Sequence, residues 1–142
     1  MDTNDEGQMP KILRVDFKIL GGFQIPCKAS KLRDIVDPFV ELVLYSTKSP
    51  LEPSILLKTK IIDDNGFNPE WNESVSFEVF EQEINMIVLR VKDNDNTLLC
   101  WNALCLDVLH KKGTFAVEMR APNFRVLPAT ALLCHINIEL QS

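Results

Sequence analysis

The chain has 142 residues, of which 46% are hydrophobic and 25% charged, and its formal net charge is −5. This length suits one domain with its own core, and the composition is that of an ordinary globular protein. The negative charge, without a long basic stripe, excludes a general nucleic-acid binder. The sequence also lacks an apolar run of the ~18 residues that a transmembrane helix needs, and its acidic start is unlike a signal peptide.

The chain begins with a polar segment without periodicity, so we predict a flexible leader over residues 1–10 and one domain over residues 11–142. The domain starts with "ILRVDFKIL", in which apolar and polar residues alternate with the period of two of a half-buried strand. Seven similar segments follow, in the order "PFVELVLYS", "ILLKTKII", "SVSFEVF", "MIVLRVK", "LLCWNALCL", "TFAVEMR" and "TALLCHINIEL". Helical periodicity is limited to a single turn near "LDVLHKKG". The pattern predicts an all-β fold, an eight-stranded antiparallel β-sandwich.

One link, "DDNGFNPEWNESVSFEVF", places aromatic residues close to a proline. We predict a turn at Asn65 and Gly66, with Pro69 fixing the entry to the next strand. Phe67 and Trp71 could form an exposed functional tip or a packed corner, and the strand alternation favours inward packing for both.

The cysteines lack the CxxC spacing of a zinc site and lie in or beside apolar patterns; they are Cys27, Cys100, Cys105 and Cys134. We predict reduced, packed thiols and a cytoplasmic location. Neither histidine is placed beside a nucleophile, and the motifs of phosphate loops, serine hydrolases and zinc proteases are missing from the sequence. We therefore predict a chain without catalytic activity.

Links between successive strands of such a sandwich alternate between its two ends, so the first, third and fifth links emerge together. These links hold Asp34, Asp37, Asp63, Asp64, Asp93 and Asp95. Calcium takes six to eight oxygen ligands, which aspartates and backbone carbonyls supply. The pattern predicts a candidate cation site at this end.

Three stretches, "IVDPFVEL", "NGFNPEWNESVSFEV" and "VLRVKDNDN", resemble the signature segments of C2 domains. With the opening "LRV…ILGG…P" and the final "PATALLCHINI", the chain is most similar to the C-terminal C2 domain of phosphoinositide-specific phospholipase C, over roughly residues 11–140. The resemblance implies the permuted strand order of that domain and a non-catalytic module that targets or docks onto phospholipid membranes. A parent phospholipase C would hold its catalysis in a separate barrel domain.

The resemblance also assigns acids to the calcium loops. Asp37 matches the aspartate that ends the first loop, and Asp93 and Asp95 match the Asp-x-Asp pair of the last loop. Two further acidic positions of calcium-binding members are occupied here by Lys31 and Trp101. These replacements change the site by about three charges, which disfavours a divalent ion.

The predicted calcium site is therefore incomplete, and Asp34 is a candidate substitute ligand. Tight binding, weak binding and no binding all stay open, and we expect weak or absent calcium dependence. The predicted site consists of Asp37, Asp93, Asp95 and Asp34.

Membrane contact has separate candidates. Basic residues flank the first loop and share a face of the third strand, and they are Lys28, Lys31, Arg33, Lys58 and Lys60. Each basic residue near an anionic leaflet is worth about 1 kcal/mol, although a solvated strand face is the alternative for the last two. Phe23, Ile25 and Pro26 could insert into lipid or pack over the sandwich edge.

Two function classes follow from these patterns. In the first, a monomer binds an acidic phospholipid surface. In the second, the domain is a protein–protein interaction or scaffold module that binds neither lipid nor calcium.

Overall fold

Eight strands form most of the described structure, a computed structural model that describes residues 11–26, 36–47, 53–63, 67–109 and 111–141. They are β1 (Ile12–Phe23), β2 (Phe39–Ser46), β3 (Ser54–Lys58), β4 (Glu70–Phe80), β5 (Asn85–Lys92), β6 (Leu98–Cys105), β7 (Lys112–Arg120) and β8 (Val126–Gln141). The predicted helical turn is a short 3₁₀ helix at Leu106–Val108. Among the described residues, no helix is long and apolar enough to cross a bilayer. The eight predicted strands are confirmed.

Some strand boundaries differ from the prediction. β3 ends at Lys58, so Lys60 lies beyond the strand and the predicted shared strand face of the two lysines is wrong. The reason is that the buried Thr59 side chain accepts a hydrogen bond from the Val40 N–H, at 2.8 Å, where the ladder would continue. The predicted leader, residues 1–10, lies outside the described residues, so the domain boundary stays a prediction.

The strands pair antiparallel in the order β3-β2-β5-β6-β7-β8-β1-β4, as one nearly closed sheet. We call the four strands β3-β2-β5-β6 half-sheet A and the four strands β7-β8-β1-β4 half-sheet B. Between β6 and β7 the ladder holds the single pair Trp101 and Arg120, whereas β1 and β8 pair along most of β1. The two halves can therefore fold towards each other as the layers of a sandwich.

The core lies between the half-sheets and follows the alternation seen in the sequence. Half-sheet B contributes Phe17 and Ile136, and half-sheet A contributes Leu42 and Leu89, each at most 1% exposed. The Phe17 ring also meets Phe115 edge-on, with centroids 6.2 Å apart. Burial of each large apolar side chain stabilises the fold by about 1.5–3 kcal/mol, so these residues fix the register of both halves.

Strand direction places the connections β1–β2, β3–β4, β5–β6 and β7–β8 at the same end of the domain, which we call the loop end. The first, third and fifth predicted links therefore emerge together, as the sequence suggested. The strands hold this end rigidly, and loops on such a scaffold are where binding residues concentrate.

Two of the predicted packed thiols are confirmed. Cys100 and Cys134 are fully buried and free, and Cys105 is half-buried and free, while Cys27 lies outside the described residues. Burial raises the pKa of the Cys100 and Cys134 thiols from 9.0 to about 12. At pH 8, a thiol of pKa 12 holds roughly a thousandfold less thiolate than one of pKa 9.

We therefore expect N-ethylmaleimide to label Cys105 in the native protein at pH 8, and Cys100 and Cys134 only after denaturation. Peptide mapping by mass spectrometry checks this, and native labelling of Cys100 as fast as Cys105 would contradict it.

The raised pKa values of Cys100 and Cys134 also make stability depend on pH. Below pH 9 these two thiols make their full contribution to the stability of the native state. That contribution is lost as pH rises from about 9 towards 12, because thiolate then forms more readily in the unfolded chain.

Candidate functional site

An acidic cluster lies at the loop end of half-sheet A. Asp37 precedes β2, and Asp93 and Asp95 follow β5, whose last residue pairs with the first residue of β2. The Asp37 N–H donates to Asp93 Oδ1 at 2.9 Å, and the Asn94 side-chain amide donates to Asp37 Oδ2 at 3.1 Å. Strand pairing thus brings together acids that are 56 positions apart in the chain.

The β5–β6 turn is closed by its own hydrogen bonds. Asp93 is 4% exposed, and its Oδ1 also accepts the Asn94 N–H at 2.8 Å. Asp95 Oδ1 accepts the Thr97 N–H at 3.0 Å. Asn96 has a φ of 73°, a left-handed conformation that asparagine tolerates better than most residues. The carboxylates of this turn therefore act as acceptors for loop N–H groups.

Some carboxylate oxygens of the acidic cluster already accept hydrogen bonds from the loops. Within the described ranges, no group of three or more His, Cys, Asp or Glu residues is arranged to hold a metal ion. Asp93 Oδ1 already accepts two N–H donors, and calcium takes six to eight oxygens. Asp37, Asp93 and Asp95 are thus not arranged as a metal site in the part of the chain that the structure describes. Asp34 lies outside the described residues, so the four-residue site stays a prediction.

The corner that opens β4 contains one buried and one exposed aromatic side chain. Trp71 is 2% exposed, and its indole N–H donates to the Pro38 carbonyl at 3.3 Å, which confirms its inward packing. Phe67 is 70% exposed, so its predicted inward packing is wrong. Ile25, 1% exposed, and Trp71 already fill the inner side of this corner against Gly22, which leaves Phe67 outside. The predicted turn at residues 65–66 lies outside the described residues.

The end of β1 pairs with the same corner. The Ile25 N–H donates to the Phe67 carbonyl at 3.0 Å, which continues the β1–β4 ladder beyond the strands. Ile25 is buried, and Pro26 is half-buried, so the packing alternative holds for Ile25. Phe23 remains 46% exposed. The end of β1 and the segment before β4 therefore present two exposed phenylalanines at the loop end, Phe23 and Phe67.

Basic side chains form a row that crosses the outer face of half-sheet A and ends on β7 of half-sheet B. Strand pairing aligns Lys58, Glu41, Arg90, Trp101 and Arg120 as successive cross-strand neighbours. We call the cations of this face, with Lys92, the basic strand face; they are Lys58, Arg90, Lys92 and Arg120. Lys58 Nζ lies 4.9 Å from the Phe39 ring centroid, and Lys92 Nζ lies 2.8 Å from Glu41 Oε1.

Sequence reasoning found Lys58 and missed the other three cations, because they lie on two separate strands, β5 and β7. The signal available was alternation, since Arg90 and Lys92 are the outward positions of the apolar β5 pattern. Lys60 is exposed beyond β3, and its N–H donates to Glu73 Oε2 at 2.8 Å. The predicted basic residues Lys28, Lys31 and Arg33 lie outside the described residues.

The sequence and the sandwich topology are similar to those of known proteins. The profile of the C2 domain family matches residues 13–103. The chain belongs to this family. A 1-phosphatidylinositol 4,5-bisphosphate phosphodiesterase of Dictyostelium discoideum is 29% identical over 129 residues, 87% of this chain and 16% of that protein. The Homo sapiens phosphodiesterase delta-1 is 26% identical over 130 residues, 89% of this chain and 17% of that protein. This C2 domain thus spans less than a fifth of these relatives.

Solved structures show the same fold. PLC21 from L. pealei superimposes with a TM-score of 0.77 at 18% identity, covering 96% of this chain and 17% of that one. A C2 domain of a plant Extended Synaptotagmin 1 gives 0.70 at 22% identity, covering 95% and 99%. The predicted phospholipase C-like C2 fold is confirmed. C2 domains bind phospholipid membranes or proteins, often bind calcium and are typically non-catalytic.

Proposed function

We propose that this C2 domain is a non-catalytic module that docks onto acidic phospholipid membranes, with weak or absent calcium dependence. The observation that carries the proposal is the exposure of Phe23 and Phe67, 46% and 70%, at the loop end. Both lie beside a buried corner built by Ile25 and Trp71, so they are held at the surface by a rigid base. Removing such rings from water is favourable, at about 25 cal/mol for each Å² buried.

The basic strand face supplies the electrostatic part of the proposed contact. It holds four cations, with Glu41 between Lys58 and Arg90, and each cation near an anionic leaflet is worth about 1 kcal/mol. Lys92 is paired with Glu41 at 2.8 Å, so the remaining three provide most of the attraction. Lys28, Lys31 and Arg33 of the first loop would add to it.

The hydrogen bonds of the acidic cluster support weak calcium dependence. The Asp93 carboxylate is satisfied by the N–H groups of Asp37 and Asn94, at 2.9 and 2.8 Å. A carboxylate that accepts hydrogen bonds from nearby loop N–H groups does not need a cation to hold the loops in place. Docking is therefore expected to proceed by aromatic and basic contacts.

The larger protein is a further part of the proposal. The curated relatives are phosphodiesterases of 1-phosphatidylinositol 4,5-bisphosphate, and this domain spans 16–17% of two of them. We infer that the chain is the C2 part of such an enzyme, acting as a monomer in the cytoplasm and peripherally at membranes. Hydrolysis would then belong to a separate barrel domain.

Co-sedimentation with phosphatidylserine–phosphatidylcholine vesicles tests the proposal. We expect the wild-type domain to bind equally in calcium and in chelator. The double variant Phe23→Ala, Phe67→Ala is expected to bind at least tenfold more weakly, because tenfold corresponds to about 1.4 kcal/mol and full burial of one phenylalanine ring is worth about 1.5–3 kcal/mol. The matched control replaces Ile84 and Leu140, each 55% exposed at the opposite end, with alanine and should bind like the wild type.

The outcomes separate the parts of the proposal. Binding that disappears in chelator would contradict calcium independence while preserving membrane docking. If the wild-type domain binds neither acidic nor neutral vesicles, membrane docking itself is wrong.

A scaffold role is the second candidate, and one observation favours it. The outer face of half-sheet A below the basic residues exposes Ile55 and Met86, 59% and 37%, on either side of β2. Apolar side chains on a strand face suit a protein partner. Absence of vesicle binding by the wild type would favour this function over the first.

A further inference from the structure

The β7–β8 turn, residues 121–125, presents an exposed aromatic side chain. Phe124 is 66% exposed, and its φ of 74° lies in the left-handed region. Glycine or asparagine suits this conformation best, and a bulky aromatic residue is uncommon there. The backbone conformation therefore offers no reason for a phenylalanine at this position, and such outliers are frequent at functional sites.

The turn is also held in one conformation. The Phe124 N–H donates to the Ala121 carbonyl at 2.9 Å, and the Ala121 N–H donates to the Arg125 carbonyl at 2.8 Å. The Trp101 indole N–H reaches the same Ala121 carbonyl at 3.1 Å. The Phe124 ring stands edge-on to the Trp101 ring, with centroids 5.3 Å apart and an interplanar angle of 89°. A ring fixed before contact loses little conformational freedom on binding.

The charge distribution around this turn differs from that of the whole chain. The chain has a net charge of −5, yet residues 119–138 contain no Asp or Glu, the longest such stretch in the sequence. Arg120 and Arg125 flank the turn within it, and the Arg120 guanidinium donates to the Phe124 carbonyl at 3.1 Å. The first acid below the turn is Glu118, which pairs with Ala131. An exposed aromatic ring between two arginines complements an anionic, partly apolar surface.

The second longest stretch without an acid, residues 17–33, contains the exposed Phe23. In half-sheet B this stretch lies next to residues 119–138, because Phe23 pairs with Ala131. The Thr130 hydroxyl also donates to the Gln24 carbonyl at 2.9 Å. Phe23 and Phe124 therefore lie on the same half-sheet at the loop end. The acidic cluster formed by residues 37, 93 and 95 lies on half-sheet A instead.

We propose that the β7–β8 turn is a membrane anchor, in which Phe124 enters the interfacial layer of an acidic bilayer while Arg120 and Arg125 meet its phosphates. This inference rests on the proposed membrane docking and adds its orientation. The domain meets the bilayer with the half-sheet B side of the loop end, so Arg120 is the residue of the basic strand face nearest the lipid, and the acidic cluster lies farther from the anionic surface. Single rings on separate turns suit a fluid, planar partner better than a protein groove, which takes a contiguous patch.

Vesicle titration with single variants tests the anchor. We expect Phe124→Ala to weaken binding to phosphatidylserine-containing vesicles about five- to tenfold, and Phe124→Leu to restore most of it. Phe67→Ala should weaken binding less, because Asp63 and Glu70 flank Phe67 in the sequence and an anionic surface repels them. Ile84→Ala, at the opposite end, is the control without effect.

A second measurement uses the Trp101 ring against which Phe124 stands. Vesicles with brominated acyl chains should quench Trp101 fluorescence in the bound wild-type protein, whereas Trp71, 2% exposed in the core, stays unquenched. The anchor is overturned if the wild type binds vesicles, Phe124→Ala binds equally well and Trp101 is not quenched. If the wild type does not bind at all, the proposed membrane docking fails first and the anchor with it.

Discussion

Replacing Trp71 with alanine is expected to lower the free energy of unfolding by about 3–5 kcal/mol. The side chain is 2% exposed, and its indole N–H donates to the Pro38 carbonyl at 3.3 Å. A Cβ on Gly22 would lie 3.4 Å from its ring, so the ring fills the space between the end of β1 and the start of β2. Alanine would leave a cavity at this junction, and urea unfolding followed by circular dichroism measures the loss.

Two variants of the same corner make this prediction specific. Trp71→Phe should cost only about 1–2 kcal/mol, because the phenyl ring fills most of the space. The Pro38 carbonyl still accepts the Ile62 N–H at 3.1 Å in that variant, so it is not left unsatisfied. Phe67→Ala, four residues earlier and 70% exposed, should change stability by no more than about 0.5 kcal/mol. Equal losses for Trp71→Ala and Phe67→Ala would contradict the buried corner.

The contrast between Trp71 and Phe67 shows how far the sequence predicts this fold. Trp71 falls at a strand position whose alternation points inward, and it packs as predicted. Phe67 precedes the strand, where a period of two has no meaning, and the inner position is taken by Ile25 from a distant segment. The local pattern therefore predicts strands well. The packing of a loop side chain depends instead on which distant segment occupies the shared inner position.

The sequence likewise predicted one part of the candidate site and missed another. The order of the strands was sufficient to predict that Asp37 and Asp93 approach each other. Their two links, the first and the fifth, emerge at the same end of the sandwich. The basic strand face was largely missed, since Arg90 and Arg120 become neighbours of Trp101 only through cross-strand register. Register between strands distant in sequence is set by the whole core, and a single segment does not encode it.

Replacing Asp93 with alanine is expected to destabilise the domain by about 2–3 kcal/mol, the second largest effect. Its carboxylate is buried and accepts the N–H groups of Asp37 and Asn94, at 2.9 and 2.8 Å. Alanine would leave the half-buried Asp37 N–H without this acceptor, while the exposed Asn94 N–H can turn to water. Urea unfolding measures the loss, and hydrogen exchange should show both amide protons exchanging faster.

Asp93→Asn separates this structural role from a calcium site by the sign of its effect. A vacant calcium site gathers carboxylates that repel one another, so neutralising one of them would raise stability in chelator. In the loop described here, the Asp93 carboxylate serves N–H donors, and its charge strengthens those hydrogen bonds. We therefore expect Asp93→Asn to lower stability in chelator by about 1 kcal/mol, less than alanine does, because the amide oxygen still accepts. A gain in stability, together with calcium binding by the wild type in calorimetry, would contradict this role and support a calcium site.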